Sequence, residues 1–450
     1  MPTPHLWTFF TAASSCADDI PNHFSTIITF PNKLFLALLL TVSTAGADPV
    51  SVSRDEAIRM AFENNRELAV ASLEVKRAAS RQRWSGRLDN PKLEVALNGD
   101  GIGLDEGESN FEVALSQNFP LTARLKREKD VRQHQVILAE AEIAERRREL
   151  AGEVDLTIVE MLATREEIRL QNKLVNLNRE ILEFLRVQVK RGEVSSLEVT
   201  QSMLSGRTLE QGAKALVARE TQQLLALNKI IGLDAETELQ VNQGFTLPGE
   251  RPSTSAELGA ILTRRPDYVL ALAKVGEAEA VIALEQSKKW EDVSLKLFVE
   301  GENAVDEPIG LERNTFAGVG FSIPLPLRKR NQDGIAQAEI DREEANRIIE
   351  AARFRIESEA EEAYRQRLDA WELARDASGE ILGLAEKNLE DFNKAYQQGQ
   401  TGLLQVQRAQ EQILEVRTAA TLFSGDYHRA AARVRLVTGA YPGLSVRENK

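Results

Sequence analysis

Cysteine is almost absent from this sequence: the 450 residues include one, Cys16, so no disulfide framework can stabilise the chain. Histidine is scarce as well, with four residues in total. His134 and His428, the two that lie beyond the N-terminal segment, stand alone in helical patterns, where solvent-facing positions are expected. Because clusters of histidine and cysteine are missing, we expect no metal, cofactor or catalytic site.

Aromatic residues make up 6% of the chain and charged residues 28%, an unusual balance for a compact enzyme of this length. This composition favours long helices with narrow apolar stripes. The net charge of −13 argues against nucleic acid as a partner.

No apolar run is long enough to cross a bilayer as a helix. The run at 34–42 follows Lys33 and precedes Ala45-Gly46-Ala47, which is typical of a secretory signal peptide cleaved after Ala47. We therefore expect residues 1–47 to be a signal peptide with an atypical N-terminal extension. Cys16 would be lost with it.

Proline is missing from two long stretches, 121–247 and 327–441. Because proline inside a helix costs about 3 kcal/mol, both stretches are free to form long helices. Residues 124–191 would extend about 100 Å at 1.5 Å per residue. Each stretch carries an apolar stripe at alternating steps of three and four, as in a coiled coil. The two stripes are related by a shift of 207 residues: Val175, Asn178, Leu182, Leu185 and Val189, and then Leu382, Ala385, Leu389, Phe392 and Tyr396.

Each stretch is interrupted by a short glycine-containing segment, "GEVSSLEV" from Gly192 and "GQTGLLQV" from Gly399. Glycine in the left-handed conformation ends a helix. In the first segment, Ser195 and Glu198 form a predicted capping box that starts the next helix. Gly402 and Gln405 occupy the matching places in the second. Each stretch is therefore predicted to be a helical hairpin, returning through residues 197–231 or 403–437.

Four short segments of alternating polarity precede the hairpins in pairs, near residues 92–97, 111–119, 293–300 and 317–323. Each is about ten residues long, the length of a transmembrane β-strand. Acidic loops, "GDGIGLDEGESN" and "GENAVDEPIGLERN", are predicted to join each pair. Amphipathic helices are predicted before the pairs, around 55–87 and 256–289.

The chain is thus predicted to contain an internal two-fold repeat. The first repeat is 48–232 with its tip at 192–195, and the second is 254–440 with its tip at 399–402. Residues 233–253 would be an irregular link and 441–450 a C-terminal tail. The expected fold class is mainly α with a small β part.

Four strands are too few to close a membrane barrel, and an open edge in lipid leaves backbone amides unpaired. If the strands lie in a membrane, several chains must share one barrel. Three chains would supply twelve strands and enough helices to enclose a tube, an α-barrel, outside the bilayer.

The doubled pattern resembles the TolC-type outer membrane efflux proteins over essentially the whole chain after the signal peptide. The segments that carry the resemblance are "VQVKRGEVSSLEVTQSML" and "KAYQQGQTGLLQVQRAQEQILEVRTAA". The segment "IPLPLRKRNQDG", residues 323–334, resembles the strand-to-helix junction of the CzcC-like heavy-metal efflux branch.

The resemblance implies a homotrimer with a twelve-stranded barrel in the outer membrane and a helical part in the periplasm. It also implies a periplasmic adaptor and an inner-membrane pump, usually of the resistance-nodulation-division type, as partners. The protein would be their passive exit duct and no enzyme. The cargo suggested by the CzcC-like branch is heavy-metal cations.

The resemblance further implies two sets of site residues. The adaptor would dock on the two tips, Gly192, Glu193, Val194, Ser195 and Gly399, Gln400, Thr401, Gly402. Tyr396 and Glu198 match a polar link that closes the tube, although they are equally well explained as a seam residue and a capping residue. Gln405 and Arg408 stand where better-studied members place acids, so no acidic ring is expected.

Two other classes of protein fit part of the pattern. A periplasmic adaptor also has a signal peptide and a coiled-coil hairpin, but normally has one hairpin flanked by β domains. A secreted coiled-coil structural protein would leave the four alternating segments unexplained. An outer-membrane trimer is expected for the duct, and a monomeric, freely soluble periplasmic product would rule the duct out.

Overall fold

The computed structural model describes residues 50–99, 108–192, 194–237, 239–242, 244–306 and 310–444. The predicted signal peptide lies outside these residues, as do most of the first acidic loop and the last part of the predicted tail. The helices and strands follow in chain order: β1 (Val50–Val52), α1 (Arg54–Asn64), α2 (Arg66–Trp84), β2 (Lys92–Gly99), β3 (Ser109–Phe119), α3 (Arg124–Lys190), α4 (Ser196–Ile231), β4 (Leu239–Val241), α5 (Leu258–Leu262), α6 (Pro266–Ser287), β5 (Val293–Asp306), β6 (Gly310–Ser322), α7 (Gln332–Asp376), α8 (Leu382–Gln397) and α9 (Leu403–Thr438).

Long helices dominate the fold, as predicted. α3 has 67 residues and is about 100 Å long at 1.5 Å per residue. It turns back into α4, and α8 turns back into α9, so both predicted hairpins are present. Shifting α4 by 207 residues reproduces the bounds of α9 at both ends. The residue after each helix, Gly232 or Gly439, has a positive φ.

The seam between the arms of each hairpin is formed by the predicted apolar stripes. All ten stripe residues are buried or partly buried, with Leu185 and Ala385 the most enclosed of each set. The seam also contains polar contacts: Gln171 of α3 donates from Nε2 to the carbonyl oxygen of Leu209 in α4 at 3.0 Å. The hairpins are therefore held by a coiled-coil stripe along their length.

The long arm of the second hairpin is not one α-helix, which differs from the prediction. A π-helical turn at Ala377–Ile381 separates α7 from α8, whereas α3 runs unbroken through the corresponding region. The Ser378 hydroxyl donates to the carbonyl oxygen of Ala374 at 2.6 Å, competing with the backbone bond of the ladder. Gly379 lies inside the same turn and has a low helix propensity.

The four predicted strands form one antiparallel sheet in the order β2-β3-β5-β6. β5 and β6 are longer than predicted, because their ladder continues to the pair Asp306 and Gly310. Most of "GENAVDEPIGLERN" is therefore strand and not loop, which corrects the prediction for this segment. Only residues 307–309 of it lie outside the described part.

The helices that precede each strand pair are broken, whereas each was predicted as one. Asn65 separates α1 from α2 because its side chain accepts from the amide of Leu68 at 2.8 Å. Its Nδ2 also donates to the carbonyl oxygen of Ile230 at 2.8 Å, tying the break to the end of α4. Pro266 begins α6, and its ring prevents α5 from continuing into it.

The largest core joins α1, the middle of α3 and the end of α4. Ile58, Ile158 and Leu227 are fully buried there. β1 and β4 pair in parallel beside it, with Val50 opposite Leu239. The segment 233–253 was predicted to be irregular. It contains the strand β4, so this prediction is wrong in part.

Buried charged groups fasten the end of α9 to this core. Asp155 of α3 is fully buried and accepts two bonds from the Arg435 guanidinium, at 2.7 and 2.9 Å. Burial alone would raise the pKa of Asp267, but its bonds from Arg265 hold the pKa of that carboxyl below its usual value. Arg265 also donates to the buried carbonyl oxygen of Val437 at 2.9 Å, which gives this carbonyl at the end of α9 a hydrogen-bond partner.

Candidate functional site: hairpin tips and sheet edges

The first tip ends α3 at Gly192, whose φ of 74° is left-handed. Its amide donates to the carbonyl oxygen of Val189 at 3.0 Å. Val194 is partly buried, and Ser195 is exposed and caps α4. Glu193, the remaining predicted tip residue, lies outside the described part of the chain.

The capping box predicted at this tip is not formed, although Ser195 does cap α4. The Ser195 hydroxyl accepts from the amide of Leu197 at 3.2 Å, one position earlier than a box requires. Glu198 does not bond back to the cap: its side chain is exposed, and its own amide donates to the Ser195 carbonyl oxygen at 3.1 Å. Its carboxylate is thus left free of a structural role in the cap.

The second tip has a similar backbone conformation, but no side chain caps the helix that follows it. Gly399 has a φ of 69°. The amide of Gln400 donates to the carbonyl oxygen of Ala395 at 2.8 Å, which closes the helix end. Thr401 is partly buried, and Gly402 is the N-cap of α9 in an extended conformation.

The four predicted gate residues are not brought together within one chain. Tyr396 is partly buried in α8, whereas Glu198, Gln405 and Arg408 are exposed. Among the described residues, none of these four side chains makes an ion pair or a hydrogen bond to another side chain. The alternative interpretation of Tyr396 as a seam residue agrees with its burial, and the capping role of Glu198 is wrong.

The two tips lie at the same end of the molecule. α3 and α9 run antiparallel, with Gly152 against Leu436 and Gly425 against Ala163. Continued to the first residue of α9, this register brings Leu403 level with Leu185, close to the end of α3. Both tips are therefore presented at the end of the long arms that is remote from the sheet.

The sheet has one apolar face. The register sets Leu93 beside Leu115, Leu115 beside Leu297, and Leu297 beside Val319, in a row across all four strands. These side chains are exposed, Val319 by 57%. Phe321, on the same face of β6, is 72% exposed. A surface of this kind needs an apolar environment.

The opposite face of the sheet is polar. Lys296 forms an ion pair with Glu112 of the neighbouring strand. Asn110 donates to the Glu300 carboxylate at 2.5 Å. Each strand thus separates an apolar surface from a charged one, as in a membrane barrel strand.

Both edges of the sheet are open in a single chain. Among the described residues, β2 pairs only with β3, and β6 only with β5. In the same part of the chain, no helix is both long enough and apolar enough to cross a membrane.

Both histidines occupy packed positions, so the prediction that they face solvent is wrong. His428 stacks on Phe245 with the ring centroids 4.1 Å apart, because the segment after β4 crosses α9 there. Its Nε2 has no hydrogen-bond partner in the part of the chain that the structure describes. His134 lies against Gly276 of α6. No group of three or more histidine, cysteine or acidic side chains suited to a metal occurs among the described residues.

Comparison with known proteins places this geometry in a family. The family model of the outer membrane efflux proteins matches residues 57–235 and 258–440. The chain belongs to the outer membrane efflux protein family. No curated protein matches the sequence.

Several solved structures share the fold at low sequence identity. CusC, studied for changes that accompany folding and transmembrane channel formation, is 18% identical with a TM-score of 0.68 over 87% of this chain and 93% of its own. The CmeC outer membrane channel of Campylobacter jejuni is 16% identical with a TM-score of 0.67, covering 86% and 85%. The open MtrE channel of Neisseria gonorrhoeae is 16% identical with a TM-score of 0.64, covering 86% and 88%.

Family membership makes the chain an outer-membrane protein with a periplasmic helical part. It acts as an outer-membrane exit duct for efflux. Proteins of this family are transporters and not enzymes. The prediction of the CzcC-like branch is not tested by these matches and stays a prediction.

Acid should destabilise the protein through His428. Burial, with the charge of Arg435, lowers the pKa of His428 from 6.5 to about 4. The unfolded chain therefore binds the proton more tightly, and stability falls as the pH drops from 6.5 towards 4, by up to about 3 kcal/mol per chain. Melting temperatures at pH 7 and 4.5 should show a smaller loss for His428→Leu than for the wild type. His134→Leu is the control, and an equal acid-induced loss in all three proteins would contradict the account.

Proposed function

We propose that three copies of the chain join edge to edge into a twelve-stranded outer-membrane barrel continued by a periplasmic helical tube. The observation that carries the proposal is the sheet with two open edges and one exposed apolar face. Unpaired amides and carbonyls in hydrocarbon cost several kcal/mol each, so these edges need partners within the bilayer.

The sheet determines how the copies would be arranged. An all-antiparallel barrel results if β6 of one copy pairs with β2 of the next. The face with Leu93, Leu297 and Val319 would then meet lipid, and the face with Glu112 and Lys296 would line the lumen. The periplasmic tube would be built from the long arms, each about 100 Å long.

Cysteine cross-linking tests this arrangement. In a Cys16→Ser background, Ala96→Cys on β2 is combined in turn with cysteines along the polar face of β6, such as Phe316→Cys. Within a chain the two positions are three strand spacings apart, about 14 Å, beyond disulfide reach. Every disulfide must therefore join two chains. We expect oxidised outer membranes to contain covalent trimers and nothing larger.

The matched control replaces the β6 cysteine by Lys296→Cys on β5. Both edges of β5 are paired within the chain, so this variant should stay monomeric on a denaturing gel. Dimers without trimers, an open-ended ladder of larger products, or a freely soluble monomer would contradict a closed trimer.

We further propose that the two tips dock on a periplasmic adaptor that connects the duct to an inner-membrane pump. The tips are level, remote from the sheet and exposed at Gly192, Ser195, Gly399 and Gln400. The family works with such partners, and the pump type suggested by the sequence resemblance is a resistance-nodulation-division transporter.

A backbone change at one tip should separate assembly from docking. Gly399 has a φ of 69°, which proline cannot adopt, and its amide donates to Tyr396, which proline would abolish. Gly399→Pro should leave trimers in the outer membrane but reduce adaptor co-purification and export. Gly244→Pro, in the segment after β4, is the control at a glycine with open space around it. Undiminished adaptor binding in Gly399→Pro would remove the tip assignment.

We propose that Tyr396 and Glu198 close the tube through a link between neighbouring chains. Glu198 is exposed and serves no cap, and the hydroxyl of Tyr396, a partly buried residue near the tip, has no hydrogen-bond partner within the described part of the chain. Gln405 and Arg408 follow on the exposed side of α9, so this constriction would carry no acidic ring.

Removing the link should open the channel. A charge-assisted hydrogen bond is worth about 1.5–3 kcal/mol, so its loss shifts the open-to-closed ratio by about tenfold or more per interface. Tyr396→Phe with Glu198→Gln should raise the conductance of single trimers in planar bilayers. Glu411→Gln, an exposed acid further along α9, should leave it unchanged. Equal conductance in all three proteins would show that these residues are not the gate.

The cargo would pass through without chemistry. Heavy-metal cations, suggested by the resemblance of residues 323–334, remain one predicted class of cargo. If metals are carried, their selection would fall to the pump and the adaptor.

A further inference from the structure

The segment 323–334, singled out in the sequence, lies at a junction that the efflux function does not explain. All four strands of the sheet meet their helices at one end, since β2 and β5 begin there and β3 and β6 end there. Contacts hold this junction together: Thr122 donates to the Ser287 carbonyl oxygen at 2.7 Å, and Arg124 pairs with Asp292 at 2.6 Å.

The junction extends the apolar face of the sheet. Alternation continues beyond β6 through Ile323, Leu325 and Leu327, the last of which is 78% exposed. Trp84 and Trp290, at the helix ends before β2 and β5, are also exposed. Exposed tryptophan at the end of an apolar barrel face is typical of the boundary between acyl chains and headgroups.

Basic side chains surround these apolar groups. Arg87 places its guanidinium 4.3 Å from the centroid of the Trp84 ring. Lys289 lies next to Trp290, and Arg328 and Lys329 follow Leu327 directly, all three exposed. None of these four cations has an acidic partner among the described residues.

Nearby acids do not cancel this charge. Asp292 and Glu285 are already paired, with Arg124 and Lys288. Asp89, Glu291 and Asp333 are exposed acids beside the junction, and the four unpaired cations outnumber these three. A hydrogen bond holds the loop between β6 and α7 in place: Arg330 donates from Nε to the carbonyl oxygen of Pro326 at 2.9 Å.

We propose that this junction is a binding surface for anionic phospholipid headgroups in the leaflet that faces the helices. Leu325, Leu327 and the tryptophans would enter the acyl region, while Arg87, Lys289, Arg328 and Lys329 would hold the phosphates. The inference rests on the proposed placement of the sheet in the membrane. Lipid fits better than the adaptor, because the tips lie at the far end of the long arms, about 100 Å away.

The tryptophans provide the test. Full-length trimers are reconstituted into vesicles of phosphatidylcholine or phosphatidylglycerol brominated on the acyl chains, in a Trp371→Phe background that removes the buried tryptophan. We expect both lipids to quench Trp84 and Trp290. In vesicles that contain both lipids, the quenching should show that the wild type binds phosphatidylglycerol about threefold or more tightly than phosphatidylcholine. Arg328→Gln with Lys329→Gln should bring this preference close to one.

Lys214→Gln with Arg219→Gln is the matched control, since both cations are exposed on α4, away from the sheet. It should keep the wild-type lipid preference. Conductance of the same vesicles is measured in parallel. Equal affinity of the wild type for both lipids, or no quenching by either in conducting vesicles, would overturn the headgroup surface and leave the duct intact. Failure to insert or conduct would overturn the proposed function as well.

Discussion

The structure depends on one constraint: a backbone amide in hydrocarbon must have a partner. The sheet of one chain has four strands and two open edges. Because its apolar face places the sheet in lipid, water is not available to pair the amides and carbonyls of these edges. Neither edge is covered by a helix in the described part of the chain. Two chains would supply eight strands and three would supply twelve, and both numbers fall within the range of known barrels. The trimer proposed here follows the resemblance to the TolC-type family.

The helical part follows a second constraint, which is length. A coiled-coil stripe can continue for as long as proline is absent and the step of three and four is kept. The chain meets this condition twice, and α4 and α9 coincide under a shift of 207 residues. This coincidence supports a doubled origin of the hairpins. The π-helical turn at Ala377–Ile381 has no counterpart in α3, so the two long arms differ in structure.

Local features of the sequence predicted most of the fold. The hairpin bounds, the left-handed glycines at both tips and the four strands all arise from patterns within a few residues. The features that were missed depend on partners far along the chain. Burial of His428 requires Phe245, the strand β4 exists because β1 pairs with it, and Asp155 is held by Arg435, 280 positions away.

The candidate site was less predictable than the fold for the same reason. The tips are local turns and their positions were predicted correctly, but Glu198 was predicted to make a capping bond that the structure does not contain. The partners of Glu198 and Tyr396 would belong to another chain, which no pattern within one chain can identify. The polar and apolar faces of the sheet were predictable, because alternation with a period of two separates them.

The mass of the protein extracted from outer membranes in detergent, determined by light scattering with the detergent contribution subtracted, tests the central claim most directly. A closed sheet shared by three chains predicts a particle of three times the chain mass, unchanged on dilution. A stable particle that contains a single chain would show that the sheet edges need no second copy and would contradict the account.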